Sequence, residues 1–340
     1  MKYLSMKIQK HKAVIVVLCS ILLLTLALFV YYNNNVLPDE YISITSSKED
    51  DESGKITTTV SAYDIKTEQL EEIYSFEYSA QYPLGCYDKK MNNVYFTKRV
   101  QNVENTGDQI FMVDLKTSNE KQLTTELFAV NYILPDEDNI FFVGRPKNSQ
   151  VLKLGNINLS SGDIEYWGDD DTNIEAIALD RKNKKIVISA YSEKERAYNV
   201  AHQDGPVGQD NMKMPRHTVY EIDYDFENAH KLFDEELWIR TVMINDDDIY
   251  ALCDRKYNNS SEASFVYRYN RNDKTIYTSE WNSYRLQVGD AGYSLNGNHI
   301  FSISSIADER GIYDFDLENG HVKPVMLQKN GFINNIQVVN

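Results

Sequence analysis

The chain has 340 residues, and its 12% aromatic content, with 24 Tyr and only 15 Gly, favours a β-rich globular body over a disordered chain. The four charged residues among the first 32 are all Lys, so the remainder carries 31 basic against 51 acidic residues, a formal charge of −20. A body that acidic repels phosphate backbones, which excludes nucleic acid as an expected partner.

The first element in chain order is an apolar segment at 13–32, which contains no charged residue. At about 1.5 Å rise per residue, a helix of this length spans a bilayer core of about 30 Å. The alternative is a cleaved signal peptide, whose apolar core would run about 7–15 residues and end in small residues. This segment instead ends in LALFVYYNNN, and Tyr31 and Tyr32 suit an interfacial aromatic belt. We therefore expect an uncleaved transmembrane signal-anchor helix.

The charges around this segment predict its orientation. Lysines precede it in residues 1–12, and Asp39 and Glu40 are the first charged residues after it. Positive residues favour the cytoplasmic side, so we expect a single-pass cell-membrane protein with a cytoplasmic N-terminal tail. The linker at 33–40 then leads to an extracytoplasmic domain at 41–340.

One pattern recurs six times along this domain: alternating apolar residues, an Asp or Asn, a polar turn and a short second strand. The Asp and Asn residues of the six copies are Asp64, Asp114, Asn158, Asp223, Asn270 and Asp316. Such a side chain accepts a backbone N–H two residues on and closes the turn locally. A second pattern of two strong strands lies between the copies five times. Its sixth copy is divided between EYISITSSK at 40–48 and GFINNIQVVN at 331–340.

Each repeat therefore predicts four strands, A to D, from the inside outward. A four-stranded sheet cannot bury both faces alone, so the sheets pack around an axis and the ring must be shut. We predict an all-β fold, a six-bladed β-propeller whose last blade is closed by both termini. A solenoid is the alternative, but it would show no complementary ends.

The order LPDEDNIFFVGR and IFMVDLKTSNEKQLT resembles the TolB-like six-bladed β-propeller repeats. In that family S-P-D-G-x-x-I-x-F leads into I-Y-x-x-D-L-x-T-G-x-x-x-x-L-T, and the resemblance covers essentially residues 41–340. The S-P-D-G core survives here only as LPDED at 134–138 and SLNGN at 294–298. The resemblance implies a fold and no particular function, because propellers host binding modules, peptidase-associated domains and glycosidases.

In propellers of this type strand A runs from the top face to the bottom face. The linker enters strand B, so we expect the anchor at the bottom and the top face, with its B–C and D–A loops, directed away from the membrane. The longest loop is an insertion between strands B and C of the third blade, at 192–217, whose Gly, Pro, Asn and Asp content predicts a loop. It is either functional or a tolerated surface insertion.

Candidate site residues come from two classes of segment. Polar residues five positions before the Asx expected to end strand A predict side chains at the upper mouth of the central channel: Asn131, Glu175, Arg240, Arg285 and Asn335. An Arg pair beside Glu175 could clamp a carboxylate, or the residues could simply be solvated channel lining. The D–A connections contain all three Trp residues, Trp167, Trp238 and Trp281. They predict an aromatic rim for sugars or basic peptides, or alternatively rings packed between blades.

Motifs for catalysis and metal binding are missing from the sequence. It contains no G-x-S-x-G, no H-E-x-x-H and no phosphate-binding loop. Asp169, Asp171 and Asn173 stand at calcium-loop spacing, but Ile174 occupies the position that requires Gly. We therefore expect no metal and no cofactor. The two cysteines of the domain fall in different repeats, which predicts two buried free thiols.

The sequence favours a membrane-anchored extracytoplasmic binding module with a protein, peptide or glycan ligand. The alternative is a propeller enzyme, a glycan- or peptide-directed hydrolase or lyase, with its site at the channel mouth. A convergent carboxylate pair with a raised pKa would support the enzyme. An aromatic rim without such a pair would support binding.

Overall fold

A computed structural model describes residues 40–101, 106–203, 212–256, 265–278, 290–294 and 299–339. The predicted anchor at 13–32 lies outside these ranges, as do Trp281 and Arg285. Within them, no helix has the length and apolar character needed to cross a membrane.

The described residues form strands that alternate with short turns along the whole domain. In chain order they are β1 (Tyr41–Glu49), β2 (Ile56–Asp64), β3 (Gln69–Glu77), β4 (Gly85–Asp88), β5 (Asn93–Gln101), β6 (Thr106–Asp114), β7 (Asn119–Gln122), β8 (Leu127–Asp136), β9 (Asn139–Pro146), β10 (Lys153–Asn158), β11 (Ile164–Trp167) and β12 (Thr172–Asp180). They continue with β13 (Lys185–Ser192), β14 (His217–Asp223), β15 (Ala229–Glu235), β16 (Trp238–Asn245), β17 (Asp248–Asp254), β18 (Phe265–Asn270), β19 (Thr275–Thr278), β20 (Ala291–Tyr293), β21 (His299–Ile306), β22 (Glu309–Asp316), β23 (Val322–Leu327) and β24 (Phe332–Val339).

These strands pair into six antiparallel four-stranded sheets, which we number as blades 1 to 6. Blades 1 to 5 are β4–β7, β8–β11, β12–β15, β16–β19 and β20–β23, and blade 6 is β24 with β1–β3. The pairing that shuts blade 6 runs from Tyr41 opposite Val339 to Ser47 opposite Phe332. The predicted six-bladed propeller and its closure by both ends of the domain are confirmed.

All six repeat Asx residues end the third strand of their blade, as predicted. In blade 1, Oδ1 of Asp114 accepts the backbone N–H of Lys116 at 2.7 Å and that of Thr117 at 3.1 Å. The same kind of contact recurs at Asp64, Asn158, Asn270 and Asp316. Asp223 differs, because its carboxylate accepts from the Lys185 and Asn228 side chains instead.

The apolar core lies in the seams between blades, and in the described part of the chain every seam holds one cluster. In the seam between blades 6 and 1, Val60 packs with Val94 and Phe96. Burying one such side chain contributes about 1.5–3 kcal/mol. Because both faces of most blades are covered in this way, the ring is stable only when all its seams are closed.

The insertion of blade 3 is not entirely a loop, so the expectation of a loop is wrong for its first turns. Residues Glu193–Ala201 form a helix, α1. Its N-cap is Ser192, whose Oγ accepts the Glu195 N–H at 3.1 Å, and two acidic residues occupy its first turn. These are favourable start signals for a helix, and they outweighed the Gly and Pro content of the residues that follow.

Both cysteines of the domain are buried and free, as predicted. Burial raises the pKa of the Cys86 thiol to about 12 and also raises that of Cys253. Cys86 lies in blade 1 and Cys253 in blade 4. Two blades therefore lie between them in either direction around the ring.

Candidate functional site at the upper channel

The innermost strands of blades 2, 3 and 4 each bulge near their start. The residues left without a partner on the neighbouring strand are Phe128 and Asn131 in β8, Glu175 in β12 and Arg240 in β16. A bulge turns its extra residue away from the regular pleat. The spacing seen in the sequence therefore marked a repeated bulge at the top face, which we define as the face where the innermost strands begin.

In blade 6 the corresponding bulge falls at Asn334, because Ile333 pairs with Ser46 and Asn335 with Thr45. The predicted residue Asn335 is therefore one position further along the strand. In blade 5, Arg285 lies outside the described residues. Asp290, five positions after Arg285, precedes β20 and so does not end an innermost strand.

Arg240 and Glu175 are brought together, as predicted. Nε of Arg240 lies 3.9 Å from Oε1 of Glu175, and their side chains are 38% and 19% exposed. The guanidinium of Arg240 also stacks on the Trp238 ring, with its Cζ 4.4 Å from the ring centroid. Trp238 therefore holds the charged head of Arg240 beside the mouth of the channel.

A second carboxylate, Asp290, joins this pair, and sequence reasoning missed it. Burial raises the pKa of Asp290 to about 6, opposed by the charge of Arg240 and by a backbone hydrogen bond from Ile336. Burial also raises the pKa of Glu175, opposed by Arg240 and by the Trp238 indole. Because burial prevails at both groups, one arginine does not fully compensate two carboxylates.

The pKa of the Tyr132 phenol is influenced by all three of these charged groups. Burial raises its pKa, the negative charges of Asp290 and Glu175 raise it further, and Arg240 lowers it. All three charged groups therefore act on one hydroxyl. We define the upper-channel cluster as Tyr132, Glu175, Arg240 and Asp290, contributed in order by blades 2, 3, 4 and 5.

A cavity of about 90 Å³ lies along the channel below the bulges. Its polar lining includes Tyr132, Thr241 and Asp290, and its apolar lining includes Ile177 and Ile336. At the other end Arg181 lines it, donating from Nη2 to the Pro135 carbonyl at 3.1 Å. A bulk water occupies about 30 Å³, so the space suits about three waters or one small group.

Asn335 is 6% exposed. Its Nδ2 donates to the Gly85 carbonyl at 3.4 Å, and its Oδ1 has no hydrogen-bond partner among the residues that the structure describes. The next residue, Ile336, supplies the N–H that Asp290 accepts. The Asn335 amide therefore packs against β4 of blade 1.

Two of the three tryptophans predicted to form an exposed rim are buried or half-buried in the structure. Trp238 is only 2% exposed, and Trp167 is half-buried against Tyr220 of the next blade, with ring centroids 5.5 Å apart. Large rings bury more apolar area between blades than at the surface, which is the alternative given above. The third, Trp281, lies outside the described residues.

Other aromatic rings are exposed at the top face. Tyr82, Phe128 and Phe332 lie at or just before the start of the innermost strands of blades 1, 2 and 6, and they are 61%, 38% and 39% exposed. Arg145 stacks over Phe128, with Cζ 3.9 Å from the ring centroid. Asn131 is exposed at the same face. The aromatic side of the top face therefore spans blades 6, 1 and 2, opposite the acidic residues of blades 3 and 5.

The three side chains of blade 3 at calcium-loop spacing accept hydrogen bonds from backbone N–H groups. Oδ1 of Asp169 accepts the N–H of Thr172 at 2.8 Å, Asp171 accepts the Lys194 N–H at 2.8 Å, and Asn173 accepts the Leu152 N–H at 2.9 Å. Within the described ranges, no group of three His, Cys, Asp or Glu side chains is placed to hold a metal ion.

No family model matches the sequence, and no curated protein matches it. Solved structures do resemble it. TolB from Acinetobacter baumannii is 13% identical with a TM-score of 0.57, over 90% of this chain and 69% of that one. A chain of the nidogen/laminin complex is 11% identical with a TM-score of 0.55, over 87% and 98%. The β-propeller domain of the Trilobed protease from Pyrococcus furiosus is 14% identical with a TM-score of 0.53, over 84% and 83%. Such identities establish a fold alone, and together with the ring of six sheets they show that this chain is a six-bladed β-propeller similar to TolB.

Proposed function

We propose that this chain is a membrane-anchored, extracytoplasmic binding module that recognises a ligand with the top face of its propeller. The anchor proposal rests on the uncharged segment at 13–32, and the orientation on the lysines that precede it. The top face points away from the membrane because the linker leads into β1, whose first residues lie at the bottom face.

One observation carries the binding role: the top face combines exposed aromatic rings with a charged channel mouth. Tyr82, Phe128 and Phe332 supply apolar contact area, and Arg240 with Glu175 supplies charge beside it. Interfaces use aromatic and Arg side chains in this way as anchors. One of the similar structures is of a nidogen/laminin complex, which supports a protein partner for a chain of this fold.

A second candidate, an enzyme, is favoured by Glu175 and Asp290, because burial raises the pKa of both carboxyls and perturbed carboxyls are what acid–base catalysis uses. Against it stands the size of the cavity. Pockets that enclose a small substrate measure about 300–1,000 Å³, whereas this one measures about 90 Å³. The space suits one inserted group better than a sugar ring with an attacking water.

The binding role is tested by photo-crosslinking in intact cells of the organism that encodes the chain. A photoreactive residue replaces Tyr82 or Phe332 at the top face, and Lys182 at the bottom face serves as the control. We expect one discrete adduct from the top positions only, lost when Arg240 is also changed to Ala. Equal adducts from Lys182, or none from the top positions, would overturn the proposal.

The topology is tested separately by adding protease to intact spheroplasts. We expect residues 41–340 to be digested and the tail at 1–12 to be protected. Protection of the domain would contradict the extracytoplasmic location. It would not affect the test of the binding role by crosslinking.

A further inference from the structure

We infer that Arg145, stacked on Phe128 at the top face of blade 2, binds the carboxylate of an Asp or Glu side chain of a partner protein. The inference rests on the proposed binding function and names the chemistry of its partner. Apolar residues beside that carboxylate would rest on the exposed rings of Phe128 and Tyr82.

A bulge at the start of β8 brings the Phe128 ring and the Arg145 guanidinium together. Phe128 has no partner on β9, whereas the next residue, Ala129, pairs with Arg145. Because a bulge turns its extra residue out of the regular pleat, the ring lies beside the Arg145 side chain. Cζ of Arg145 is 3.9 Å from the ring centroid, Phe128 is 38% exposed and Arg145 is half-buried. The stack therefore fixes the guanidinium at the rim of the top face.

Arg145 differs from two other arginines that stack on aromatic rings, Arg240 and Arg268. Nε of Arg240 lies 3.9 Å from a carboxylate oxygen of Glu175, and Nε of Arg268 lies 3.8 Å from one of Asp248. Arg145 has no such carboxylate among the residues that the structure describes. A carboxylate from a partner would supply the missing counter-charge.

The hydrogen-bonding groups of Arg145 favour the same ligand. Stacking occupies the flat face of the guanidinium and leaves its N–H donors at the edge, in a fork that matches the two oxygens of a carboxylate. Within the described part of the chain, no acceptor bonds to this side chain. Because the ring already restricts the side chain, less entropy is lost when a carboxylate binds. An ammonium group has no acceptor and would not pair here.

Apolar surface continues from this stack to Tyr82 of the neighbouring blade. The start of β6 packs closely on Phe128, because a Cβ built on Gly107 would lie 2.2 Å from the Leu127 carbonyl oxygen. The next residue, Asp108, accepts a backbone hydrogen bond from Tyr82. Tyr82 and Phe128 therefore lie on either side of the start of β6, and Tyr82 is 61% exposed. Exposed aromatic rings around an arginine are typical of the residues that dominate protein interfaces.

The charges of the chain limit how acidic the partner is. The formal charge of −16 slows the approach of a strongly acidic protein, whereas the contact with Arg145 acts only at short range. A second arginine of this side, Arg99, is already paired, with Nη1 3.3 Å from Oδ1 of Asp108. We therefore expect one Asp or Glu side chain flanked by apolar residues rather than an acidic tract.

Photo-crosslinking of the full chain in intact cells tests the inference. The photoreactive residue stands at Tyr82, and Arg145 is changed to Glu, Gln or Lys. We expect Arg145→Glu and Arg145→Gln to reduce the adduct by at least about tenfold, because the carboxylate of the partner loses its counter-charge. Arg145→Lys keeps the charge but not the fork of donors, so its adduct should be intermediate.

Arg145→Lys also allows the carboxylate to be identified. A carbodiimide activates a carboxyl group, and the amine introduced by the substitution then forms an amide with it as the urea leaves. We expect the residue joined to position 145 to be an Asp or Glu of the partner. Arg310→Lys, treated in the same way, should give no such product.

Arg310 is the matched control, because it is exposed near the start of β22, on the top face of blade 5. Arg310→Glu makes the same change of charge away from Phe128 and should leave the Tyr82 adduct unchanged. Urea unfolding of each variant checks that the propeller is folded, and Arg145→Gln and Arg145→Lys provide the test if Arg145→Glu does not fold.

Two outcomes would overturn the inference while the binding role stands. One is a Tyr82 adduct that the Arg145 substitutions leave unchanged, and the other is an equal loss in Arg145→Glu and Arg310→Glu. Absence of any adduct from Tyr82 or Phe332 in the otherwise unchanged chain would overturn the proposed function and the inference together.

Discussion

Nη1 of Arg271 lies 2.7 Å from Oδ2 of Asp180, although the two residues belong to adjacent blades, 4 and 3. The Nε of Arg271 also donates to Oε2 of Glu221 at 2.7 Å. The three side chains are only 16%, 6% and 17% exposed. The pairing therefore joins two blades at the bottom face through largely desolvated charges.

Replacing Arg271 with Ala should lower the free energy of unfolding by about 3 kcal/mol, because it leaves two poorly solvated carboxylates without a counter-charge. Lys182→Ala is the matched control. Lys182 pairs with Asp246 across the same seam, but the two side chains are 79% and 66% exposed. Exposed pairs contribute about 0–1 kcal/mol. Urea unfolding measures both, and equal losses would contradict the argument from burial.

The repeat could be predicted from the sequence because each of its features depends only on residues close to it in the chain. Asp114 closes its own turn through hydrogen bonds to residues two and three positions on, so the sequence alone shows where the third strand ends. The closing blade followed from counting strands, because a lone strand A at 332–339 needs the partners that begin at Tyr41.

The site was less predictable, because it depends on contacts between blades. The sequence did not single out Asp290, because the groups that act on its carboxyl, the Arg240 guanidinium and the Ile336 N–H, come from blades 4 and 6. Trp238 was expected in a D–A connection, whereas it begins β16, is 2% exposed and stacks with the Arg240 guanidinium. Periodicity singled out Glu175 and Arg240 because the bulge recurs at one position of the repeat.

Asp290 should make stability depend on pH in a direction opposite to most acids. Its folded pKa of about 6 lies above the ordinary value of 3.8, so the native state takes up the proton first and gains stability as pH falls from 6 towards 4. Asp290→Asn should therefore stabilise the chain at pH 7.5 by up to about 3 kcal/mol. The gain should shrink towards zero at pH 4.

Chemical unfolding between pH 4 and pH 8 checks this, with Asp64→Asn as the comparison. Backbone hydrogen bonding from Thr67 lowers the pKa of Asp64, so its contribution is present at neutral pH and is lost on acidification. A pH-independent difference between wild type and Asp290→Asn would show that the carboxyl is not perturbed by burial.

His217 should remain neutral in the folded chain well below pH 6. It is 1% exposed, and its Nδ1 lies 3.1 Å from Oγ of Ser189 and 3.4 Å from the backbone nitrogen of Ile239. The N–H of Ile239 requires Nδ1 to accept, so the proton resides on Nε2. Burial lowers the pKa of His217 to about 3.

Because the unfolded histidine has a pKa of about 6.5, this residue destabilises the fold as pH falls from 6.5 towards 3. Long-range ¹H–¹⁵N spectra between pH 7.5 and 4.5 should show the Nε2-protonated tautomer of His217 without titration. The exposed His321 provides a reference signal in the same spectrum. Titration of His217 near pH 6.5 would contradict its burial.

Two of the turns that follow the third strand of a blade offer a matched pair of substitutions that test the backbone conformation. The fifth residue of the turn has a left-handed backbone, with φ of 56° at Ser118 and 81° at Gly162. Ser118→Gly should stabilise the chain and Gly162→Ala should destabilise it, each by about 1 kcal/mol, because only Gly adopts this backbone without cost.

No atom lies within 4 Å of a Cβ built on Gly162, so the Ala variant tests the backbone alone. Thermal and urea unfolding of the two variants should give shifts of opposite sign. Shifts of the same sign would mean that contacts of the new side chains, rather than φ, decide the outcome.

Blade 6 places the last strand of the chain beside the first. As the polypeptide leaves the ribosome, β1–β3 emerge earliest and must wait for nearly three hundred residues before β24 arrives to cover them. Throughout synthesis one edge of β1 and one seam stay uncovered, and both are prone to intermolecular pairing. Closure of the ring is thus the last step of folding, and chaperones that shield nascent strands would act on β1 before any other strand of the propeller.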